Sequence, residues 1–447
     1  MVSLLRERDF RLLFAGQGIS AVGTAVTYVA LPLIAVAHLG AGPFEVSLIT
    51  AAGYAAWLVV GLPAGVFVDR RARRPLLIFA DLGRAALLAT VPAAALADLL
   101  TVAQLVVVAL LAGALSVLFD VAYPAFIPVV VADKARLTDA NGKLFATESA
   151  AHVAGPGLGG VLLQALGAAG AVAVDVVSFL VSAVTLRMIR SPEPPPAPPR
   201  GTARSDLIEG LAYTFGRPFT RAVLGAGVIG NFVFGGYAAI VVIFLYETVG
   251  VGEAAVGVLL GLGAAGAVVG ALVTGPLGNR IGDARLTWIA PAINVAFGAL
   301  VPLAAPDWRL GLFAVGAFGL SAGIGIYNVC VRAALQISVP AERLGRTMAS
   351  IRLFSRGTLP VGALTAGGLA TATSPRAAVI AFMALLALCP IWLRMSPVGR
   401  VHTLAELGPG PASPGLRSAG SAATGATREG GAEKARGPRE RSERNLH

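Results

Sequence analysis

Charge is what this chain has least of. Only 13% of its 447 residues are Asp, Glu, Lys or Arg, against 56% hydrophobic, and its mean hydropathy is +0.77. A soluble domain carries about a quarter of its residues as charges, so the composition excludes that class. Cysteine is nearly missing too. Cys330 and Cys389 both fall in or at the edge of apolar runs, which excludes a disulfide framework and leaves them as small apolar side chains. Four histidines give no basis for a metal site, and no nucleotide-binding glycine loop or other cofactor signature is present. An enzyme acting on lipids within the membrane would need a converging catalytic set, and none is visible. An appended globular domain, which a receptor or scaffold would need, is also lacking.

What fills the space is apolar sequence. Crossing about 30 Å of hydrocarbon takes roughly 20 apolar residues. Nine charge-free runs meet that need: residues 12–44, 46–68, 99–119, 222–246, 254–279, 286–306, 310–331, 357–375 and 377–393. Three more appear once isolated ionisable residues are tolerated: 75–97 with Asp81 and Arg84, 144–166 with Glu148 and His152, and 168–186 with Asp175. The spacing predicts an all-α polytopic membrane protein with twelve transmembrane helices. The first run is too long for a signal-peptide core, so it is expected to be retained.

The net charge of +11 would suggest nucleic acid in a soluble protein. Here 32 of the 35 Lys and Arg fall on one side of the twelve-span topology, which makes the charge a sorting signal. The other side holds Arg309 and Arg376, with Arg84 inside a span. The positive-inside rule therefore places both termini in the cytoplasm of a bacterial plasma membrane, with anionic headgroups beside the arginines and no nucleic-acid partner.

The expected divisions are an N-terminal six-helix bundle over 1–190, a proline-rich linker over 191–218, a C-terminal bundle over 219–396 and a disordered cytoplasmic tail over 397–447. The bundles echo each other. Gly65-Val66-Phe67-Val68-Asp69-Arg70 follows the second span and Gly275-Pro276-Leu277-Gly278-Asn279-Arg280 the eighth, while Phe119-Asp120-Val121 matches Tyr327-Asn328-Val329. Each pair has Asp in the first half and Asn in the second, so the scaffold is duplicated and the charge is not.

With these features the chain resembles the major facilitator superfamily over about residues 5–395, and within it the bacterial twelve-helix drug and siderophore exporters. The most specific likeness is Gly65-x-x-x-Asp69-Arg70-x-x-Arg73-Arg74, the family's loop between helices two and three, with Ala72 in place of a glycine. The resemblance implies two pseudo-symmetric six-helix bundles and a latch of Gly65, Asp69, Arg70, Arg73, Asp120, Asn279 and Arg280. In that latch Asp69 meets helix eleven, and Arg70 or Arg73 pairs with Asp120. Gly142, Gly155, Pro156, Gly159 and Gly160 resemble the antiporter motif, with Ala151 replacing its second glycine. That motif implies close packing against the glycines of helix eight, Gly257, Gly261, Gly266 and Gly270. Further likeness lies in residues 8–13, in Asp81-Leu82-x-Arg84 and in Asp175-x-x-Ser178-Phe179. Gly23 is followed by Thr24, where many relatives carry an acid.

A charge at mid-membrane costs about 2.5–3.5 kcal/mol, so each one is a candidate site. Asp81 and Arg84 share a helical face and can neutralise each other. Glu148, one turn from His152, is the first candidate proton carrier because a desolvated carboxyl group can take and release a proton; Asp175 and Asp81 follow. Gln17, Thr24, Tyr28, Asn231 and Tyr237, with Tyr246 and Tyr327, are expected to contact an apolar ligand. The implied activity is proton-coupled export of a small lipophilic or amphipathic molecule by a monomer, including multidrug efflux. Export of one dedicated metabolite, such as a siderophore or a self-made antibiotic, is the alternative, and a membrane-embedded lipid enzyme a weaker one.

Overall fold

Backbone amides have no water partner in hydrocarbon, so a chain this apolar satisfies them within helices. The computed structural model describes residues 4–131, 133, 136–193 and 203–400, without the side chains of Leu62, Gly65, Val66, Asp69, residues 203–207, Ala341 and Glu342. Among the described residues there are helices and turns and no strand.

The N-terminal half comprises α1 (Arg8–Ala37), α2 (Pro43–Asp69), α3 (Arg73–Leu96), α4 (Val102–Val130), α5 (137–166) and α6 (168–188). The C-terminal half comprises α7 (Pro218–Ile243, continued by a π turn over Phe244–Val249), α8 (Glu253–Ile281), α9 (Asp283–Gly298) and α10 (Leu310–Ser338). It ends with α11, in two pieces (Ala341–Arg356 and Thr358–Ala372), and α12, also in two (Pro375–Leu385 and Leu388–Met395). Ten helices are long and apolar enough to span singly. The total of twelve is reached because α5 and α6 run together as one of the ten and the pieces of α11 are each too short to count.

Gly167 divides α5 from α6 at φ 68°, a conformation that costs other residues but not glycine. The chain reverses there. Along α1, Gly18, Gly155 and Gly159 place α5 parallel to it, through Thr147, Ala25 and Val26 respectively. Gly16 meets Ser182 and Thr185 while Gly23 meets Asp175 and Ser178, which places α6 antiparallel.

Apolar runs and helices differ where loops are uncharged or helix ends are charged. The first run swallows the turn His38–Gly42, where Gly40 has φ 62°. Span eleven begins at Ala341, well before its apolar run, because its first piece is polar and docks on the linker helix Ala203–Gly216. There Glu209 pairs with Arg346 and Arg343, and Phe215 meets Phe354 edge-on. Pro397–Arg400, counted with the tail in the sequence, is a turn whose Val398 is fully buried against the C-terminal half. Residues 401–447 and the prolines 194–199 lie outside the described residues.

The termini of the two halves and the linker mark one face, which carries most of the arginines; the opposite face is called the far face below. The largest apolar core lies toward the far face and draws on both halves, from Val29–Val36 and Leu163 to Ile240–Leu245 and Phe382. Toward the basic face the core splits. Leu4, Phe10, Leu77, Phe126 and Leu186 pack within the first half, and Phe219, Ala284, Leu335 and Ile351 within the second. The two bundles thus meet at the far face and part at the basic one.

Candidate functional site

Two seams hold the halves together, and both are built on small residues. In the first, α5 crosses α8 so closely that a Cβ on Gly160 would lie 3.1 Å from Ala254 Cα, and one on Gly257 would lie 2.9 Å from Gly160 N. Gly261 faces the Val153 carbonyl at 2.7 Å in the same sense. Gly266 and Gly270 do not share this surface, contrary to the spacing argument; they back onto Phe318 and Ala322 of α10. Gly142, in the same motif, has nothing within 4 Å of its would-be Cβ, so it packs no partner. At about 3.6 residues per turn the step from Gly257 to Gly266 leaves the two on opposite sides of the helix, which is why one row serves two partners.

The second seam joins α2 to α11. Gly367 abuts Phe44 and Ser47, Gly357 abuts Leu58, and the Arg356 guanidinium lies 4.6 Å over the Trp57 ring. These contacts, like the glycine contacts of α5 with α8, lie from the far end of the helices to about their middle.

In the gap between the bundles, Tyr28 and Tyr54 share a 2.9 Å hydrogen bond between α1 and α2, and Tyr28 keeps 49% of its surface open. Tyr237 of α7 stands within their electrostatic reach, half-buried. Thr24 is exposed one turn away, while Gln17 donates to Ser182 Oγ at 3.1 Å and so is partly committed to α6. Asn231 donates to the Gly227 carbonyl of its own helix at 2.8 Å. Tyr246 packs on the main core, and the Tyr327 hydroxyl is buried near Cys389 between α10 and α12; neither faces the gap as expected.

Toward the basic face the gap has opposite charges on its two walls. Asp120 of α4 is exposed and within electrostatic reach of Glu148, Arg84 and, across the gap, Arg356. Glu148 exposes 63% of its side chain and His152 68%, at 3.9 Å from each other. Glu148 is therefore not the desolvated carboxylate the sequence reading expects. On the second wall Arg332, Arg352 and Arg356 lie together, all exposed.

The enclosed charges lie deeper in the first half. Arg84 Nη2 contacts Asp81 Oδ1, with side-chain exposures of 6% and 0%. Its guanidinium is held between Phe179 at 4.1 Å and Phe119 at 4.6 Å. Asp175, 1% exposed, accepts from Ser178 Oγ at 2.8 Å and fits against α1 only because Gly23 has no side chain.

Arg73, expected in the latch, has a different partner. Arg73 pairs with Glu193 at 3.8 Å, and Arg73 and Arg74 both donate their amides to that carboxylate, at the start of α3. Arg74 also donates to the carbonyls of Ile189 and Ser191, while Asp9 accepts from Arg190 and Ser191. Arg73 thus belongs to the linker strap and not to Asp120. Arg70, Asn279 and Arg280 are exposed, and the side chains of Gly65 and Asp69 lie outside the described residues. Among the described residues no group of His, Cys, Asp and Glu could hold a metal.

Sequence reasoning missed Tyr54, Trp57 and Tyr123, the last stacked on Phe119 at 5.6 Å. The available signal was Tyr54-x-x-Trp57 on an otherwise apolar helix, in a chain with four Trp and seven Tyr.

Known proteins share this plan. The chain is 26% identical over 396 residues to the multidrug efflux pump Tap of Mycolicibacterium fortuitum, covering 86% of this chain and 94% of that one. It is 24% identical over 184 residues to macrolide efflux protein A of Streptococcus pyogenes, 41% of this chain and 45% of the relative. Among solved structures it superposes on the nucleoside transporter NupG with a TM-score of 0.69 at 10% identity, covering 86% and 98% of the two chains. A bacterial homolog of the human lysosomal transporter Spinster, inward-facing and unoccupied, gives 0.68 at 15% identity, covering 92% and 100%. The family model of the Major Facilitator Superfamily matches residues 13–359 and 232–426, most of the chain. Twelve helices in two bundles, a gap open to one face and that match together make this chain a multi-pass membrane transporter, not an enzyme, of the Major Facilitator Superfamily.

Proposed function

We propose that the chain exports a small lipophilic or amphipathic molecule by proton antiport through alternating access, with the basic face in the cytoplasm. The observation that carries this reading is the asymmetric meeting of the bundles. A shared apolar core closes the far face while the basic face opens onto Tyr28, Tyr54, Trp57, Asp120 and Glu148. Such a gap loads an apolar ligand from the inner side, with aromatic rings for its body and carboxylates for a basic group. The names of the relatives, a multidrug efflux pump and a macrolide efflux protein, support the direction.

Proton coupling needs a carboxyl group whose charge is unwelcome in one state. Asp175 suits this better than Glu148, because it is enclosed at the α1–α6 contact, with the hydroxyls of Ser178 and Thr27 beside it. Glu148 and Asp120, open to the gap, serve as the entry for protons and substrate. As the basic face closes, Asp69 and Arg70 reach α11 and Asp120 attracts Arg356, while Glu193 gives up Arg73.

Inverted membrane vesicles test this with erythromycin as the probe. Accumulation is expected only with a proton gradient and is expected to fall to the ungradiented level in Asp175→Asn. Uptake that persists after the gradient is collapsed removes the antiport reading and leaves the fold. Orientation is checked by labelling Ser191→Cys, in a background lacking Cys330 and Cys389, with an impermeant maleimide. Reaction from outside intact cells would reverse the assignment.

A further inference from the structure

A second polar site lies at the basic face, away from the gap. The end of α8, the start of α9 and the end of α12 enclose a cleft of about 390 Å³ lined by Arg285, Trp288, Arg394, Gly399 and Arg400, with Ile281 and Ile289. That volume lies within the range of small-ligand sites. Arg394 and Arg400, with Arg285 at the start of α9, all border this cleft. Bringing like charges together raises the local potential and favours an anion in the cleft.

The fold builds this arrangement. After α12 the chain turns back over Pro397–Arg400, anchored by the fully buried Val398. The turn presses so tightly on the helix end that a Cβ on Gly399 would lie 2.8 Å from the Arg394 carbonyl carbon. Arg394 Nη1 donates to the Gly399 carbonyl at 3.1 Å, and its guanidinium stands 5.6 Å from the Trp288 ring. Arg394 is thereby held at the cleft, which Arg400 also lines.

The neighbourhood identifies the kind of anion. Ile391, Trp392 and Met395 on the last turns of α12 are 52%, 46% and 76% exposed, and the Trp392 indole is pinned by its bond to the Ala222 carbonyl at 3.0 Å. Exposed apolar side chains and an indole on the last turns of α12, next in sequence to Arg394 and Arg400, match the boundary between acyl chains and headgroups. We propose that this cleft binds the phosphate of an anionic phospholipid, whose acyl chains lie along the exposed side of α12. A guanidinium fork meets two phosphate oxygens at once, which a zwitterionic headgroup screens with its own cation.

Native mass spectrometry of the purified full-length protein, titrated with phosphatidylglycerol or phosphatidylcholine, tests the assignment. Arg394→Gln and Arg400→Gln are both surface changes, and each is expected to weaken phosphatidylglycerol binding about five-fold, with about twenty-five-fold for the double variant. Arg309→Gln, on the far face, is expected to leave it unchanged. Melting in phosphatidylcholine alone, equal for all variants, shows that folding is intact. Equal phosphatidylglycerol affinity in wild type and the double variant overturns the proposal, as does equal retention of phosphatidylcholine. Displacement of the lipid by inorganic phosphate would mark a soluble-anion site and also overturn the lipid assignment.

Discussion

The two halves use one backbone plan and fill it differently. On the inner helix of the first half, Gly23 makes room for Asp175 and Ser178 from α6; on the inner helix of the second, Gly236 makes room for the Phe382 ring from α12. On the third helix of the first half stands Arg84, 5% exposed and reaching Ser116 of α4 at 3.4 Å; on the third helix of the second stands Asn294, also 5% exposed and set against Gly323 of α10. The glycines preserve helix spacing in both halves, because a missing side chain is a geometric need whatever fills the space. The fillers diverge: the first half keeps enclosed carboxylates and a guanidinium, and the second has amides and aromatic rings. Duplication set the scaffold, and among the described residues the enclosed charges Asp81, Arg84 and Asp175 all lie in the first half.

That contrast is open to attack in several ways. The largest effect is expected from Arg84→Met, which leaves the buried Asp81 carboxylate without its compensating cation and costs about 3–5 kcal/mol, whereas Asn294→Leu removes an amide oxygen without a partner and changes stability by about 1 kcal/mol or less. Thermal unfolding in detergent compares the two; equal losses would erase the distinction between the halves. Next comes the seam between them. Gly160→Leu drives a side chain into Glu253 and Ala254 and is expected to cost about 1–3 kcal/mol together with export, while Gly142→Leu, with empty space around it, changes neither. Loss of export in both variants would mean that the motif acts through something other than packing.

Asp175→Asn retains a partner for Ser178 and is expected to lose about 1 kcal/mol of stability, yet to abolish gradient-driven accumulation. Its counterpart Phe382→Leu is expected to lower stability and spare coupling. The reverse pattern would place the coupling in the second half. Trp57→Ala removes the ring under Arg356 and is expected to weaken the second seam by about 1 kcal/mol, read as earlier melting.

The smallest effect concerns the exposed ion pair of the second half. Hydrogen bonds from the Arg309 guanidinium and amide hold the Asp307 carboxyl below the usual aspartate range. A depressed carboxylate supports folding above its ordinary pKa, and that support fades as pH falls through the folded value. Arg309→Gln is expected to move the titration of Asp307, followed by carbon NMR, up toward the ordinary range. A midpoint that stays put would assign the depression to the loop backbone.

Much of the scaffold could be read directly from the residues. Apolar runs located the spans, and two of them, 144–166 and 168–186, stopped on either side of Gly167, where α5 reverses into α6. The pairing of Asp81 with Arg84 followed from three-residue spacing, since helix geometry fixes that neighbourhood without help from the rest of the chain. The candidate site was less legible. Glu148 looked enclosed because its flanking residues are apolar, but its surroundings are set by α4 and by the opening between the bundles. Arg73 matched a latch motif, yet its partner Glu193 comes from the far end of the half.

The amino-acid order by itself determined that the chain lives in a membrane, how many times it crosses and that its halves are copies, because these rest on local length, periodicity and counts of charge. Only the tertiary structure decided which carboxylates are enclosed, which glycines touch the other half and which face stands open. Those properties depend on helices distant in sequence, and a residue's neighbours across a seam leave no trace in its own stretch of chain.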